Sequence, residues 1–240
     1  MGCRGAGWLL ATLPTRRRRS LRSNLHHAFP DRTEAWRRQI ALESCRRCFE
    51  MAIFVLASPY FSKERLERQF SVDEELQKLF RDHEAAPKPV VVLSPHFSLM
   101  EAHTLTGLLY PGKLPSMAAV YRPFDNPGIE RWIKNTRERW GLKLLSRKEG
   151  FFEAVDLLRA NGAVVLLFDQ NAGNQGALTL FMGRVCSTTE LIGLLAQKCK
   201  ARVSFIYSER RGFMRSRIRG ENLDAPCKSA AILFASNLWL

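Results

Sequence analysis

From residue 90 onward the chain alternates short apolar, β-branched runs with stretches of helical period. Strands are predicted at 90–93, 117–121, 143–145, 163–168, 178–181 and 203–207, because runs this short and this apolar fit a pleated, buried surface. Helices are predicted near 98–109, 127–140, 150–160 and 188–199, with Gly141 and Gly162 placed to end two of them. Strands interleaved with helices imply an α/β fold, a mixed and largely parallel sheet flanked by helices.

The N-terminal part is different. Residues 31–58 read as one long helix, with Pro30 before it, Asp31 and Thr33 as cap candidates, and apolar positions from Trp36 to Leu56 at three- and four-residue steps. Pro59 stops it. The half from Met51 to Ala57 is apolar all round, which suits a core better than shallow contact with a bilayer. Residues 82–89, with Pro87 and Pro89, read as a linker. The expected organisation is a basic N-terminal segment over 1–30, a helical region over 31–89 and an α/β core over 90–240.

Composition narrows the partners without naming one. The 240 residues carry a formal charge of +14, which attracts nucleic acid, an anionic membrane surface or a phosphorylated substrate alike. The run Arg16 to Arg19 beside the apolar stub Trp8 to Leu13 fits a juxtamembrane patch better than a nucleic-acid face. No stretch of about 18 apolar residues spans a bilayer, and the stub is too short for a secretory signal. Six cysteines show no disulfide framework, in keeping with a reducing cytosol. The lone Cys45-Arg46-Arg47-Cys48 is read as half-buried helix packing.

The chemistry concentrates at Ser94-Pro95-His96-Phe97-Ser98-Leu99-Met100-Glu101, straight after the first strand. Five residues of ideal helix turn through about 500°, leaving two side chains roughly 140° apart. His96 and Glu101 therefore meet only if His96 lies in the loop and Glu101 in the helix that follows. Pro95 supports a loop there. A carboxylate accepting from Nδ1 fixes the imidazole tautomer and frees Nε2 to take a proton from a bound alcohol. Asp169 and Arg122 follow two further strands, so a shared cleft at the strand ends is expected. The plainer readings are that Arg122 pairs with Asp125 or Glu130 and that Asp169 caps a turn with Asn171 and Gly173. Gly173-Asn174-Gln175-Gly176 lacks the Gly-Lys-Ser/Thr of a nucleotide loop, and His103 does not complete a His-Glu-x-x-His zinc motif.

Several blocks occur together in order: Asn24-Leu25-His26-His27-Ala28-Phe29-Pro30, the His96-x4-Glu101 box, Val120-Tyr121-Arg122-Pro123 with Asn126-Pro127, Phe168-Asp169-Gln170-Asn171, and Phe181-Met182-Gly183-Arg184. Over residues 20–222 the chain resembles the bacterial lipid A biosynthesis (lauroyl/myristoyl) acyltransferases, within the wider glycerolipid acyltransferase group. The resemblance implies a glycerol-3-phosphate acyltransferase-like fold and transfer of a fatty acyl chain from an acyl carrier protein thioester to a hydroxyl of a lipid A precursor. It implies His96 as general base, Glu101 as its partner, Arg122 as a phosphate ligand and Asp169 as an orienting group. It calls for no cofactor, no metal and no nucleic acid, and for a site at the cytoplasmic face of the bacterial inner membrane, in contact with the membrane surface. A lysophospholipid or other glycolipid acyltransferase, and a non-catalytic basic surface-binding protein, are the alternative readings. Two departures stand out: Phe97-Ser98-Leu99-Met100 replaces the family's usual Phe-Gly-Asn-Trp, and the chain stops at Leu240 inside an expected helix, which reads as a shortened C-terminal end.

Overall fold

The computed structural model describes residues 15–96 and 98–223; the apolar stub at 8–13 and the segment 224–240 lie outside them. The chain enters through α1, Arg16–Ala28, and α2, Glu34–Ala57. Thr15 and Thr33 cap these helices, their hydroxyls accepting from Arg18 N and Trp36 N at 3.2 Å each, which satisfies one orphan amide at each helix start. The long predicted helix is thus present, ending just before Pro59, which falls in a 3-10 turn at Ser58–Tyr60. Next come α3, Lys63–Gln69, β1, Phe70–Val72, and α4, Glu74–Ala85.

The remaining elements alternate largely as predicted, except that the helix expected over 98–109 is mostly a 3-10 turn and two further strands, Arg184–Thr188 and Arg215–Leu223, appear. In chain order come β2 (Val90–Ser94), a 3-10 turn (Met100–Leu105) running into α5 (Thr106–Leu109), β3 (Met117–Tyr121), α6 (Pro127–Glu138), β4 (Leu142–Ser146), α7 (Phe151–Arg159) and β5 (Ala163–Leu167). A hairpin of β6 (Ala177–Phe181) and β7 (Arg184–Thr188) follows, then α8 (Leu191–Cys199), β8 (Arg202–Gly212) and β9 (Arg215–Leu223).

Seven strands form one sheet in the order β1-β9-β8-β2-β5-β3-β4. Only β8 and β9 pair antiparallel; the other five pairs are parallel. The sheet is therefore mixed and largely parallel, and the fold is α/β. Its central strands are apolar on both faces because helices cover both. Val91, Leu93, Val164 and Leu166 face one core with Leu158 and Leu195, while Val92 and Val165 face another with Phe54, Leu66, Phe80 and Leu99. The region over 31–89 is not wholly helical, since β1 joins the sheet edge beside β9 and Phe54 packs into the same core as Val92.

One buried carboxylate ties α2 to the far hairpin. Glu50, 2% exposed, accepts from Arg47 Nη1 at 2.9 Å, Arg210 Nε at 3.2 Å and the backbone N–H of Met214 at 2.7 Å. Met214 sits in the β8–β9 turn with a φ of 48°, a left-handed conformation that a side chain adopts at a cost.

Candidate active site

Strand register builds the site. In the β2–β5 pair Ser94 stands opposite Leu167, an offset that, continued two residues further, sets His96 opposite Asp169. The imidazole Nδ1 lies 2.6 Å from Asp169 Oδ1, and the backbone N–H of His96 donates to Oδ2 at 2.7 Å. One carboxylate thus holds both the ring and the loop that carries it. Burial alone would raise the Asp169 carboxyl, but the hydrogen bonds from the His96 ring and backbone outweigh it and hold the carboxyl below its usual range. With Nδ1–H donated to Asp169, Nε2 is the lone-pair nitrogen, and the Gln170 amide approaches it at 3.4 Å.

Glu101 does not meet His96. It lies in the 3-10 turn instead of the second turn of an α-helix, is buried, and receives Arg137 Nε at 2.6 Å and Nη2 at 3.0 Å. The expected His96–Glu101 contact is therefore replaced by two separate pairs, His96–Asp169 and Glu101–Arg137. Arg137 reaches inward from α6, which Asn126 starts by accepting from Gly128 N and Ile129 N, with Pro127 at the first helical position. The Asn-Pro block thus sets the helix that clamps Glu101.

Loops after four neighbouring strands surround a cleft of about 940 Å³. His96 follows β2, Gln170 follows β5, Arg122 follows β3 and Arg147 follows β4, and all four line it. Arg147 N donates to Tyr121 O at 2.9 Å, which sets the two arginine-bearing loops side by side. Among the described residues Arg122 pairs with neither Asp125 nor Glu130, and Glu130 is instead engaged by the Tyr121 hydroxyl and by Phe124 N at 2.8 Å. Burial, together with that hydrogen bond, pushes the Tyr121 phenol up to about 12. Among the described residues Arg122, Arg147 and Arg17 of α1 form no ion pair, and all three are exposed at the cleft. Asp169 caps no turn; it is Asn171 whose Oδ1 accepts from Gly173 N, at 2.7 Å.

Below this cationic rim the cleft runs along one sheet face over Met117, Ala119, Leu142, Leu144 and Val165. At its inner end Ser94 Oγ lies 3.1 Å from His103 Nδ1, and His103 Nε2 is buried with no partner among the described residues. Burial pushes the His103 ring down to about 4, so it stays neutral at ordinary pH. Arg137 and Arg147 were not singled out in the sequence, and Arg17 only as part of the basic run Arg16 to Arg19. Arg147 alone had a readable signal, its place one residue after a strand.

The arrangement provides an imidazole held by a carboxylate, an apolar wall and cations at the mouth. No helix among the described residues is long and apolar enough to cross a membrane. No curated protein matches the chain significantly in sequence. A family model does, over residues 2–213, a span that takes in His96, Asp169 and every ordered block, and by it the chain belongs to the bacterial lipid A biosynthesis acyltransferases.

Proposed function

We propose that this acyltransferase moves a fatty acyl chain from an acyl carrier protein thioester to a hydroxyl of a lipid A precursor, at the cytoplasmic face of the bacterial inner membrane, with His96 as general base. The observation that carries the reading is the His96–Asp169 pair at the head of the apolar, cation-rimmed cleft.

His96 Nε2 takes the proton of the acceptor hydroxyl as its oxygen attacks the thioester carbonyl. The tetrahedral adduct then expels the carrier's thiolate, which recovers the proton from the imidazolium. An ester forms, a thioester breaks, and the base is regenerated without a covalent enzyme intermediate. Asp169 stabilises the imidazolium and fixes its ring, the role of the third group in a base-orienter pair. Glu101 acts through Arg137 as a positioning residue beneath the cleft. Arg122 and Arg147 receive phosphate oxygens, which guanidinium forks match in geometry. The apolar sheet face receives the acyl chain.

The test is to supply the purified protein with radiolabelled acyl carrier protein thioester and a Kdo-bearing lipid A precursor, with a lysophospholipid as parallel acceptor. Labelled lipid A precursor is the expected product. Label only in the lysophospholipid would overturn the acceptor, and label appearing only when acyl-CoA replaces the carrier thioester would overturn the donor.

A further inference from the structure

The β6–β7 hairpin turns a row of large apolar side chains to solvent. A hairpin that packs one face on a protein and shows the other to water puts apolar side chains inward and polar ones outward. Here the inward face, which also carries Ala177, Phe181 and Cys186, buries Thr179 and Thr188 with their hydroxyls 2.6 Å apart. The register pairs Leu180 with Val185 and Leu178 with Ser187 on the opposite face, where Leu178 is 77%, Leu180 57% and Val185 66% exposed. The hairpin turns at Met182 and Gly183, with φ of 50° and 73°, a left-handed pair that gives the tight turn a two-residue hairpin needs.

We propose that the outer face of this hairpin is a bilayer-insertion surface, lying against the interfacial region of an anionic membrane. Two features choose lipid over a protein partner. From Asn171 to Thr189 the chain holds no acidic residue and a single cation, Arg184, beside the turn. That combination suits an apolar blade entering among acyl chains with its cation left at anionic headgroups; an acidic carrier protein would call for a cluster of cations. The second feature is position. The hairpin base is pinned to the loop after Asp169, with Ala172 N donating to Ser187 O at 3.0 Å and Ser187 Oγ donating to Gly173 O at 2.5 Å. Ala172 and Thr189, at the two ends of this insertion, line the cleft. A lipid lifted from the bilayer along the hairpin therefore arrives at the mouth of the site. The inference rests on the lipid-acceptor reading for its purpose, whereas its test does not require turnover.

The test is flotation of the full chain with vesicles of phosphatidylethanolamine and phosphatidylglycerol, at low and at high salt. Leu180→Ser with Val185→Ser is expected to weaken binding by about tenfold or more, a loss that persists at high salt because it is apolar. Leu180→Phe is expected to strengthen binding, which a merely misfolded hairpin would not do. Transfer to a detergent-dispersed acceptor is expected to be unchanged in the serine variant. Unchanged vesicle binding in that variant would overturn the proposal. So would lost binding to acyl carrier protein with vesicle binding intact, which would make the face a protein-docking surface. If no form of the protein transfers acyl chains yet the serine variant still leaves the vesicles, the acyl-transfer reading fails and the insertion surface stands.

Discussion

His96 Nδ1 lies 2.6 Å from Asp169 Oδ1, across 73 positions of chain, because the two residues continue the parallel register of β2 and β5. Both residues thus sit just past the ends of the β2–β5 strand pair in the middle of the sheet. Glu101 is close in sequence yet serves elsewhere, neutralised by Arg137.

That second pair makes its own prediction. Glu101 is buried and Arg137 is 20% exposed, and removing one member of such a pair leaves an uncompensated charge. Arg137→Ala is expected to lower unfolding free energy by about 3 kcal/mol. The double variant Glu101→Met with Arg137→Leu should recover most of it. Urea unfolding reads both, and equal losses in the single and double variants would contradict the pairing.

Ser98 adopts a φ of 56°, and its hydroxyl is buried without a partner among the described residues. It stands where the resembling family usually has glycine, the residue that takes this conformation without a steric penalty. Ser98→Gly should therefore stabilise the protein by about 1 kcal/mol. Scanning calorimetry should show Tm raised by about 2–4 °C, and a lowered Tm would show that the loop gains more from the serine than it loses.

The pH dependence of stability should fall into two windows. The His103 ring is held at about 4 in the folded protein by burial, whereas an unfolded chain protonates histidine near about 6.5. The unfolded state then binds more protons between those values, so stability drops as pH falls from about 6.5 towards about 4. Asp169 is held below its ordinary range in the fold. Its contribution is intact above the unfolded carboxylate value of about 4 and is lost as pH falls further. Urea titrations across this range should show the upper slope flattened by His103→Gln and the lower one by Asp169→Asn. Retention of both slopes in both variants would contradict these assignments.

Glu50 should be among the most sensitive positions outside the site. It holds two arginines and the strained Met214 amide from a buried position, so Glu50→Ala strands several polar groups at once. A loss of about 3–4 kcal/mol is expected. Chemical denaturation measures it, and a change under about 1 kcal/mol would show the network to be dispensable.

The alternation of strand and helix was readable because β2, β3 and β5 are short apolar runs bounded by loops. What the pattern hid follows from geometry. β1 spans only Phe70–Val72, too short for any period to register. In β9 the inward positions are Ser216, Ile218 and Gly220 among exposed charges, so its alternation carries almost no hydrophobic contrast. In β7 only Val185 is strongly apolar, and it points outward. The places of His96 and Asp169 after strands were legible, but their contact was not, since strand order and register are not written locally. Sequence proximity favoured Glu101 instead, and the 3-10 turn that carries it away from His96 leaves no mark in the spacing.

The central claim is that His96 removes the acceptor proton while Asp169 orients it. The most direct measurement is single-turnover acyl transfer by the unmodified protein, His96→Ala and Asp169→Asn, each checked for fold by circular dichroism. The account predicts no detectable transfer for His96→Ala and a rate reduced by about a thousandfold or more for Asp169→Asn. Full transfer by His96→Ala would contradict it, and an unimpaired Asp169→Asn would show that the 2.6 Å contact does not serve the chemistry.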